Sequence, residues 1–329
     1  MNLTNNNIYQ EIKELLYSAK NRVYQTINTT MTQTYFQIGK RIVEEEQNGE
    51  LRAEYGKKLI KNLSLELNKE FGDGFSIDNL KNMRRFYLCF QKSETVSHQF
   101  KLSWSHYIFL TRIENINERN FYEIEASQNN WSLRELKRQF DSGLFERLSL
   151  SLEKEKVKEL SSKGQVIETV QDLIKDPYIL EFVGLPELSV YSESELEQKL
   201  IDKLEHFLLE LGKGFTFVAR QKRITIDEKH FKVDLVFYNR LLKSFIVIDL
   251  KIGELKHQDI GQMMMYVNYF DRFEKTDDEN STIGIILCKD KSKALVELTL
   301  PKDNNKIYAS KYLTILPNKE EFKKLLEEN

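Results

Sequence analysis

Residues 231–266 read FKVDLVFYNRLLKSFIVIDLKIGELKHQDIGQMMMY, and this stretch decides the fold of the C-terminal half of the chain. Two runs in it, 231–238 and 244–250, are rich in β-branched and aromatic residues, which predicts two strands joined by a short turn. The second run is apolar on both faces, as expected of a central strand that is covered on both sides. Asp234, Asp249 and Lys251 interrupt this apolar setting, where a charge is costly unless it is paired or bound to a metal.

These three charged residues have the geometry of a metal site. Side chains alternate along a strand, so Asp249 and Lys251 share a face, and the hairpin can bring Asp234 beside Asp249. Two carboxylates suit Mg²⁺, with Mn²⁺ able to substitute, because both are hard cations that prefer oxygen ligands. A lysine beside them can orient an attacking water or neutralise charge on phosphorus. The spacing resembles the core of the PD-(D/E)xK nuclease superfamily, with Val233 in place of the motif's proline.

Composition excludes several other classes of protein. Net charge is −2 over 329 residues, so nucleic-acid binding would have to rest on local basic patches. The sequence has no phosphate-binding glycine loop, dinucleotide fingerprint or nucleophile elbow, and its Cys and His residues do not pair as zinc ligands do. The two cysteines stand far apart and no apolar run is long enough to span a membrane. We therefore expect a cytoplasmic protein with no membrane partner.

The periodicity of the first half predicts a mostly α-helical domain at 1–150, followed by a charged linker at 151–172. Its helices are expected at about 8–28, 34–47 and 55–71, and glycines at 72 and 74 then precede a helix capped by Ser76. Helix, turn and helix outline a helix-turn-helix unit. Its second helix would present residue types that contact phosphates and base edges, namely Lys81, Asn82, Arg84 and Arg85. The alternative is the solvated face of an ordinary helical bundle.

The second half predicts an α/β domain at 173–329. An amphipathic helix at 194–211 precedes the strands, and a helix at 258–270 follows the opening hairpin. Further strands are expected at 215–221, 223–226, 282–288 and 307–316. The order α-β-β-β-α-β indicates a mixed central sheet, as in restriction-endonuclease-like domains.

Other polar residues extend the candidate site. Glu197 lies on the amphipathic helix, where the superfamily often has an acidic residue that completes the metal shell, and Glu193 and Glu195 are alternatives of the same type. Gln262 and Tyr266 stand four residues apart on one helix face and resemble an additional motif of the RecB-like branch, which positions DNA near the metal. Arg220, Gln221, Lys222 and Arg223 form a local basic cluster before the hairpin. Its three basic residues, Arg220, Lys222 and Arg223, are candidates for phosphate contact, and the alternative is a solvated strand end.

Longer strings resemble the YhcG family of PD-(D/E)xK nucleases. In the C-terminal half these are DPYILEFVGL, LEQKLIDKLEHFLLELGKGFTFVARQ, VDLVFYNRLLKSFIVIDLKIGE and IGQMMMYVNYFD. In the N-terminal half YFQIGKRIVEEEQ, GFSIDNLKNMRRFY, LSWSHY and WSLRELKRQ are similar to the family's companion domain. The resemblance covers nearly the whole chain.

The resemblance implies a prokaryotic protein that cleaves DNA phosphodiesters with Mg²⁺, in restriction, defence or repair. Asp234, Asp249 and Glu197 would hold the metal, the backbone carbonyl of Leu250 would add a ligand, and Lys251 would serve the attacking water. The N-terminal domain would be a helical, winged-helix or helix-turn-helix module for DNA recognition or oligomerisation. A homodimer and further subunits of a restriction or defence system are the expected partners. The alternatives are a catalytically silent nucleic-acid-binding or assembly subunit that keeps the nuclease fold, and a regulator that acts through the helix-turn-helix.

Overall fold

The computed structural model describes residues 3–48, 53–91, 100–149, 154–185 and 191–317. The chain divides into two compact units, Met1–Arg138 and Gln139–Asn329. Helix α8 (Lys154–Lys163) lies inside the stretch for which we predicted a charged linker. The division into domains at 150 and 172 stays a prediction. In the described residues, no helix is long and apolar enough to cross a membrane.

Regular structure in the described part of the first unit is helical, which confirms the predicted mostly helical domain. The helices in this part of the chain are α1 (Leu3–Asn48), α2 (Ala53–Phe71), α3 (Ile77–Phe90), α4 (Trp104–Leu110), α5 (Ile116–Gln128) and α6 (Leu133–Asp141). Ser76 caps α3 as predicted, because its side chain accepts a hydrogen bond from the Asn79 amide. The core packs Leu80 and Met83 of α3 against Ile42 of α1 and Ile60 of α2.

The predicted break between two N-terminal helices is wrong, because α1 is one helix of 46 residues. The stretch between the two expected helices is rich in threonine. Threonine has only a modest intrinsic cost in a helix, and no glycine or proline interrupts this stretch. The Thr34 hydroxyl donates to the Thr30 carbonyl one turn earlier (2.9 Å), so its polar group is satisfied inside the helix.

The second unit is built on a six-stranded mixed sheet, which confirms the predicted α/β fold. Its strands are β1 (Tyr178–Ile179), β2 (Phe215–Ile226), β3 (Lys229–Asn239), β4 (Ser244–Leu250), β5 (Ile283–Cys288) and β6 (Ile307–Leu313). The order across the sheet is β1-β6-β5-β4-β3-β2. The pairs β2–β3 and β3–β4 are antiparallel, and β4–β5, β5–β6 and β1–β6 are parallel.

Helices cover both faces of this sheet. The remaining helices of the unit are α7 (Leu144–Ser149), α9 (Glu193–Asp202), α10 (Leu204–Leu211), α11 (His257–Phe273) and α12 (Lys293–Thr299). Alternate residues of β4 belong to opposite cores: Ile246 and Ile248 pack with α9 and α10, and Val247 packs with α11. Burial on both faces explains the continuous apolar run that the sequence shows at 245–248.

Three local expectations differ from the structure. The amphipathic helix at 194–211 is two helices, because Lys203 adopts a non-helical backbone (φ −118°, ψ 33°) that no residue type signals. The strands expected at 215–221 and 223–226 form the single strand β2, which contains a bulge between Phe217 and Ala219. The short elements β1 and α12 were not predicted, since two and seven residues carry too little periodicity to detect.

Candidate active site

Three polar side chains form a row across β2, β3 and β4. Leu235 pairs with Ile248, so the next paired position along the hairpin holds Asp234 and Asp249. On the other side of β3, the pairs Arg220–Leu235 and Lys222–Val233 place Gln221 opposite Asp234. The row therefore runs Gln221, Asp234, Asp249 through adjacent strands of the sheet.

Asp234 and Glu197 are held by donors from neighbouring elements. Asp234 Oδ2 accepts a hydrogen bond from the Leu250 amide (2.9 Å), and Asp234 Oδ1 accepts one from Gln221 Nε2 (3.1 Å). Gln221 Nε2 also donates to Glu197 Oε2. Glu197 comes from α9 and is buried, and Arg220 Nη2 lies 3.0 Å from its Oε1. One glutamine amide thus joins two carboxylates that are 37 residues apart in sequence.

Asp249 and Lys251 form an ion pair next to this group. Lys251 Nζ lies 2.8 Å from Asp249 Oδ2 and 3.8 Å from Glu193 Oε2. Burial raises the pKa of Asp249 to about 7, with a further contribution from Asp234 and an opposing one from Lys251. Burial lowers the pKa of Lys251, but attraction to Asp249 and Glu193 outweighs this, and the pKa of Lys251 is raised overall. Lys251 is therefore a protonated cation at neutral pH and has no lone pair with which to act as a base.

The donor set fits a small hard cation. Asp249 Oδ2 and Glu197 Oε1 are buried and accept no well-aligned hydrogen bond, although a cationic nitrogen lies within 3.0 Å of each. Burial raises the pKa of Glu197, against the stabilising hydrogen bond from Gln221. In the described residues, no group of three or more His, Cys, Asp or Glu side chains lies close enough together to hold a metal ion. Mg²⁺ typically binds one or two carboxylates and keeps several waters.

Gln262 and Tyr266 lie together on α11 as predicted from their spacing. The Gln262 amide donates to the Tyr266 hydroxyl, and that hydroxyl donates to the Lys232 carbonyl at 2.8 Å. Tyr266 is fully buried, and burial raises its pKa. The pair thus supports β3 two residues before Asp234. A contact of either side chain with DNA stays a prediction.

The predicted nucleic-acid-binding residues on β2 have protein partners. Arg220 contacts Glu197 and donates to Gln198 (2.9 Å), and Lys222 lies 2.8 Å from Glu274. Arg223 Nη2 lies 2.6 Å from His230 Nε2. Among these three, only Arg220 contacts a predicted metal ligand, Glu197. Contact of the three basic residues with phosphate stays a prediction.

The candidate residues of the first unit lie on α3. Lys81 and Arg85 are exposed, and Asn82 is half-buried. Lys81 is 3.6 Å from Asp78, and Arg84 Nε is 2.5 Å from Glu46 Oε2 of α1. Arg84 is therefore partly committed to packing within the unit, and the exposed neighbours are the stronger candidates for phosphate contact.

Sequence reasoning missed two residues of the site. From the sequence, Gln221 was assigned only to the basic cluster, and Glu193 was considered only as an alternative to Glu197. Register could have found Gln221, because counting back from a two-residue turn between Ile226 and Lys229 places Gln221 opposite Asp234. Glu193 lies one helical turn before Glu197, which places both on one face of α9.

Comparison with known proteins gives the family. Residues 171–327 match the YhcG PDDEXK nuclease domain, and residues 11–147 match the DUF1016 N-terminal domain. The protein named "Putative nuclease YhcG" of Escherichia coli (strain K12) is 38% identical over 341 aligned positions, which cover 94% of this chain and 90% of that protein.

Solved structures are more distant. A repair endonuclease from Pyrococcus abyssi is 19% identical over 37% of this chain (TM-score 0.26). A complex of EndoMS with double-stranded DNA is 18% identical over 41% of this chain (TM-score 0.29). The chain spans about half the length of these two proteins, 48% and 49%, and superpositions this loose carry no argument about the site. The two domain matches and the full-length relative show that the chain belongs to the YhcG family of PD-(D/E)xK nucleases.

Proposed function

We propose that the protein is a Mg²⁺-dependent deoxyribonuclease that hydrolyses phosphodiester bonds. The observation that carries the proposal is the row of half-buried Asp234 and buried Asp249 beside buried Glu197 and the Lys251 cation, with two carboxylate oxygens that lack aligned hydrogen bonds. Three carboxylates face two cations, Lys251 and Arg220, and the remaining negative charge is costly where the site is buried. A divalent metal would relieve that cost.

Different residues of the chain would have different roles in hydrolysis. Asp234, Asp249 and Glu197 would hold the metal, with the Leu250 carbonyl as a further ligand. A bound Mg²⁺ or Mn²⁺ supplies polarisation of a phosphoryl oxygen and neutralises charge that develops there. Lys251, kept cationic by Asp249, donates hydrogen bonds to the attacking water or to the phosphate oxygens. The water oxygen bonds to phosphorus as the bond to the 3′ oxygen breaks, which leaves a 5′-phosphate and a 3′-hydroxyl.

We also propose a substrate, a biological setting and partners for this activity. DNA is the proposed substrate, in restriction, defence or repair in the cytoplasm of a prokaryote, with other subunits of such a system as partners. The N-terminal domain at 1–150 would recognise DNA through Lys81, Asn82, Arg84 and Arg85, or serve oligomerisation. Gln262 and Tyr266 would position the strand near the metal.

We further propose that a second copy of the chain pairs with the N-terminal half of α1. Six large apolar side chains there are more than half exposed, and their spacings of three, four and seven residues place them on one side of the helix: Ile8, Ile12, Leu15, Leu16, Val23 and Ile27. A long helix with such a face is marginal alone in water. In an antiparallel pair, Glu11 and Glu14 near the start of one helix approach Lys20 and Arg22 of the other.

Cleavage assays test the nuclease. Linear, supercoiled and branched DNA, and RNA, are incubated with Mg²⁺ or Mn²⁺ and wild type, Asp249→Asn, Lys251→Met or Glu197→Gln. Each variant is expected to lose at least about a hundredfold in rate, as does EDTA treatment of the wild type. Glu195→Gln is the matched control, because Glu195 is exposed on the same helix as Glu197. Retained DNA binding with no cleavage of any substrate would replace the enzyme by a silent binding subunit.

Solution mass tests the pairing of α1. Leu15→Glu places a charge in the apolar face and is expected to halve the mass measured by light scattering. Gln25→Glu, on the opposite face of the helix, should leave the mass unchanged. A wild-type protein that is monomeric at micromolar concentration would refute the pairing.

A further inference from the structure

The backbone of Gln221 is unusual for its position in the fold. Its φ is 46°, which is left-handed, although β2 continues for five residues beyond it to Ile226. Such a conformation is unfavourable for a residue with a side chain and disrupts a regular strand. Among the described residues of the second unit, the other non-glycine residues with positive φ are Asp227, Glu228 and Lys243, and all three lie in the turns that join β2 to β3 and β3 to β4. Gln221 is the member of this group that lies inside a strand.

The side chain of Gln221 makes contacts that explain this conformation. Its Nε2 donates to Glu197 Oε2 and to Asp234 Oδ1, so its two N–H groups serve two carboxylates from different elements. The carboxylates of Glu197 and Asp234 repel each other, and the amide that donates to both offsets part of this repulsion. A neutral amide can do so without adding a positive charge that would compete with a cation.

The hydrogen bonds leave oxygen lone pairs for a metal. Asp234 accepts one bond at each oxygen, from Gln221 and from the Leu250 amide, which fixes the plane of its carboxylate. Glu197 Oε1 accepts no aligned hydrogen bond, although Arg220 Nη2 lies 3.0 Å from it. Each carboxylate oxygen has two acceptor sites, so Gln221 orients both groups without exhausting either.

We propose that Gln221 is a positioning residue that sets the metal affinity of the site, and that the left-handed backbone in β2 is maintained to aim its amide between Glu197 and Asp234. The inference rests on the proposed metal-dependent function. Gln221 acts on the ligands, so its loss weakens metal binding, while saturating metal restores most of the cleavage rate. Outer hydrogen-bond partners of metal ligands typically contribute about 10- to 100-fold to metal affinity.

Two substitutions separate the side chain from the backbone. Gln221→Met keeps the length of the side chain and removes both donors. Gln221→Gly removes the donors and also the conformational cost, because glycine adopts positive φ freely. Lys243→Gly is the matched control, since Lys243 is exposed and has φ 48° in the turn between β3 and β4. The control is expected to gain a similar conformational benefit with no change at the site.

The experiment measures Mn²⁺ binding to the full-length protein without DNA by electron paramagnetic resonance, together with melting temperature and the Mn²⁺ dependence of cleavage. Both Gln221 variants are expected to raise the dissociation constant for Mn²⁺ about 10- to 100-fold. Gln221→Gly and Lys243→Gly are expected to melt at or above the wild-type temperature, and Lys243→Gly to bind Mn²⁺ as the wild type does.

The outcomes distinguish this inference from the function on which it rests. Wild-type affinity in both Gln221 variants would overturn the inference and leave the metal-dependent nuclease intact. A weaker affinity in Gln221→Gly accompanied by a markedly lower melting temperature would indicate a purely structural residue and would also overturn it. A wild-type protein that binds no Mn²⁺ and cleaves nothing would overturn both proposals.

Discussion

The buried ion pair between Arg147 of α7 and Glu210 of α10 offers a sharp test of how the second unit is held together. Both side chains are fully buried, and Arg147 Nη1 lies 2.5 Å from Glu210 Oε1. Arg147 also donates to the Pro177 carbonyl (3.1 Å) and to Ser142 Oγ (3.2 Å). Glu210 Oε1 accepts a further hydrogen bond from the Ile179 amide (3.0 Å). Arg147 therefore connects α7 to α10 and to the residues next to β1.

The expected cost of breaking this pair follows from its burial. Arg147→Met removes three hydrogen bonds and leaves the Glu210 carboxylate buried without its cation, for which about 3–5 kcal/mol is typical. For a unit of this size that corresponds to a melting temperature lower by roughly 6–20 °C. Adding Glu210→Gln removes the carboxylate charge that Arg147 balances and keeps an acceptor for the Ile179 amide. The double variant is expected to recover most of the loss, because the pair itself contributes little beyond its own desolvation.

Urea unfolding of the full-length protein, followed by fluorescence and circular dichroism, measures these free energies. Glu159→Gln is the control: it breaks the exposed pair of Glu159 with Lys163 (2.7 Å) and is expected to cost no more than about 0.5 kcal/mol. The reasoning would be refuted if Arg147→Met cost less than about 1 kcal/mol, or if the double variant lost as much as the two single variants together. A loss as predicted would also favour a boundary near 138 over one at 150, since a cut at 150 separates Arg147 from Glu210.

Two further predictions concern the first unit. A Cβ at Gly39 would lie 2.1 Å from the Met83 carbonyl oxygen, so Gly39→Ala should push α1 from α3 and lower the free energy of unfolding by about 1–3 kcal/mol. In the same urea titration Gly56→Ala is the control and should be neutral or stabilising, because its Cβ would meet only the flexible end of Glu46 at 3.0 Å. Burial lowers the pKa of His106 below its usual 6.5, so the unfolded chain binds a proton at His106 more readily than the folded chain does. The free energy of unfolding should therefore fall as pH drops below about 6.5. Measured from pH 5 to 8, a His106→Gln variant should show a shallower dependence of this free energy on pH.

Elements whose sequence pattern is set by burial could be predicted from the sequence. The hairpin of β3 and β4 was predicted within two residues at each end, because both strands combine β-branched residues with an abrupt polar turn. Ser76 was predicted as a helix cap for a similarly local reason, as its hydroxyl satisfies an amide three residues away. Asp234, Asp249 and Lys251 stood out because a charge in an apolar strand needs a partner.

Elements that depend on tertiary packing could not be predicted in the same way. The separation of α9 from α10 occurs at Lys203, whose identity gives no reason for a break. Helix α1 continues through its threonines because no glycine or proline interrupts that stretch, and intrinsic helix propensities predict such continuity only weakly. The ion pair of Arg147 with Glu210 joins residues 63 positions apart, and neither position carries a pattern that specifies the other.

Gln221 shows why the site was only partly visible in the sequence. Its position opposite Asp234 is set by the two-residue turn at Asp227 and Glu228, because the Ile226–Lys229 pair fixes the register of β2 back to Ala219. A one-residue shift of this register would place Arg220 or Lys222 opposite Asp234, and a cation would occupy the place of the amide. A fixed cation at that point would neutralise the carboxylates and oppose metal binding by charge. The register of the β2–β3 hairpin therefore decides whether this sheet presents an internal ion pair or the proposed site for a divalent metal.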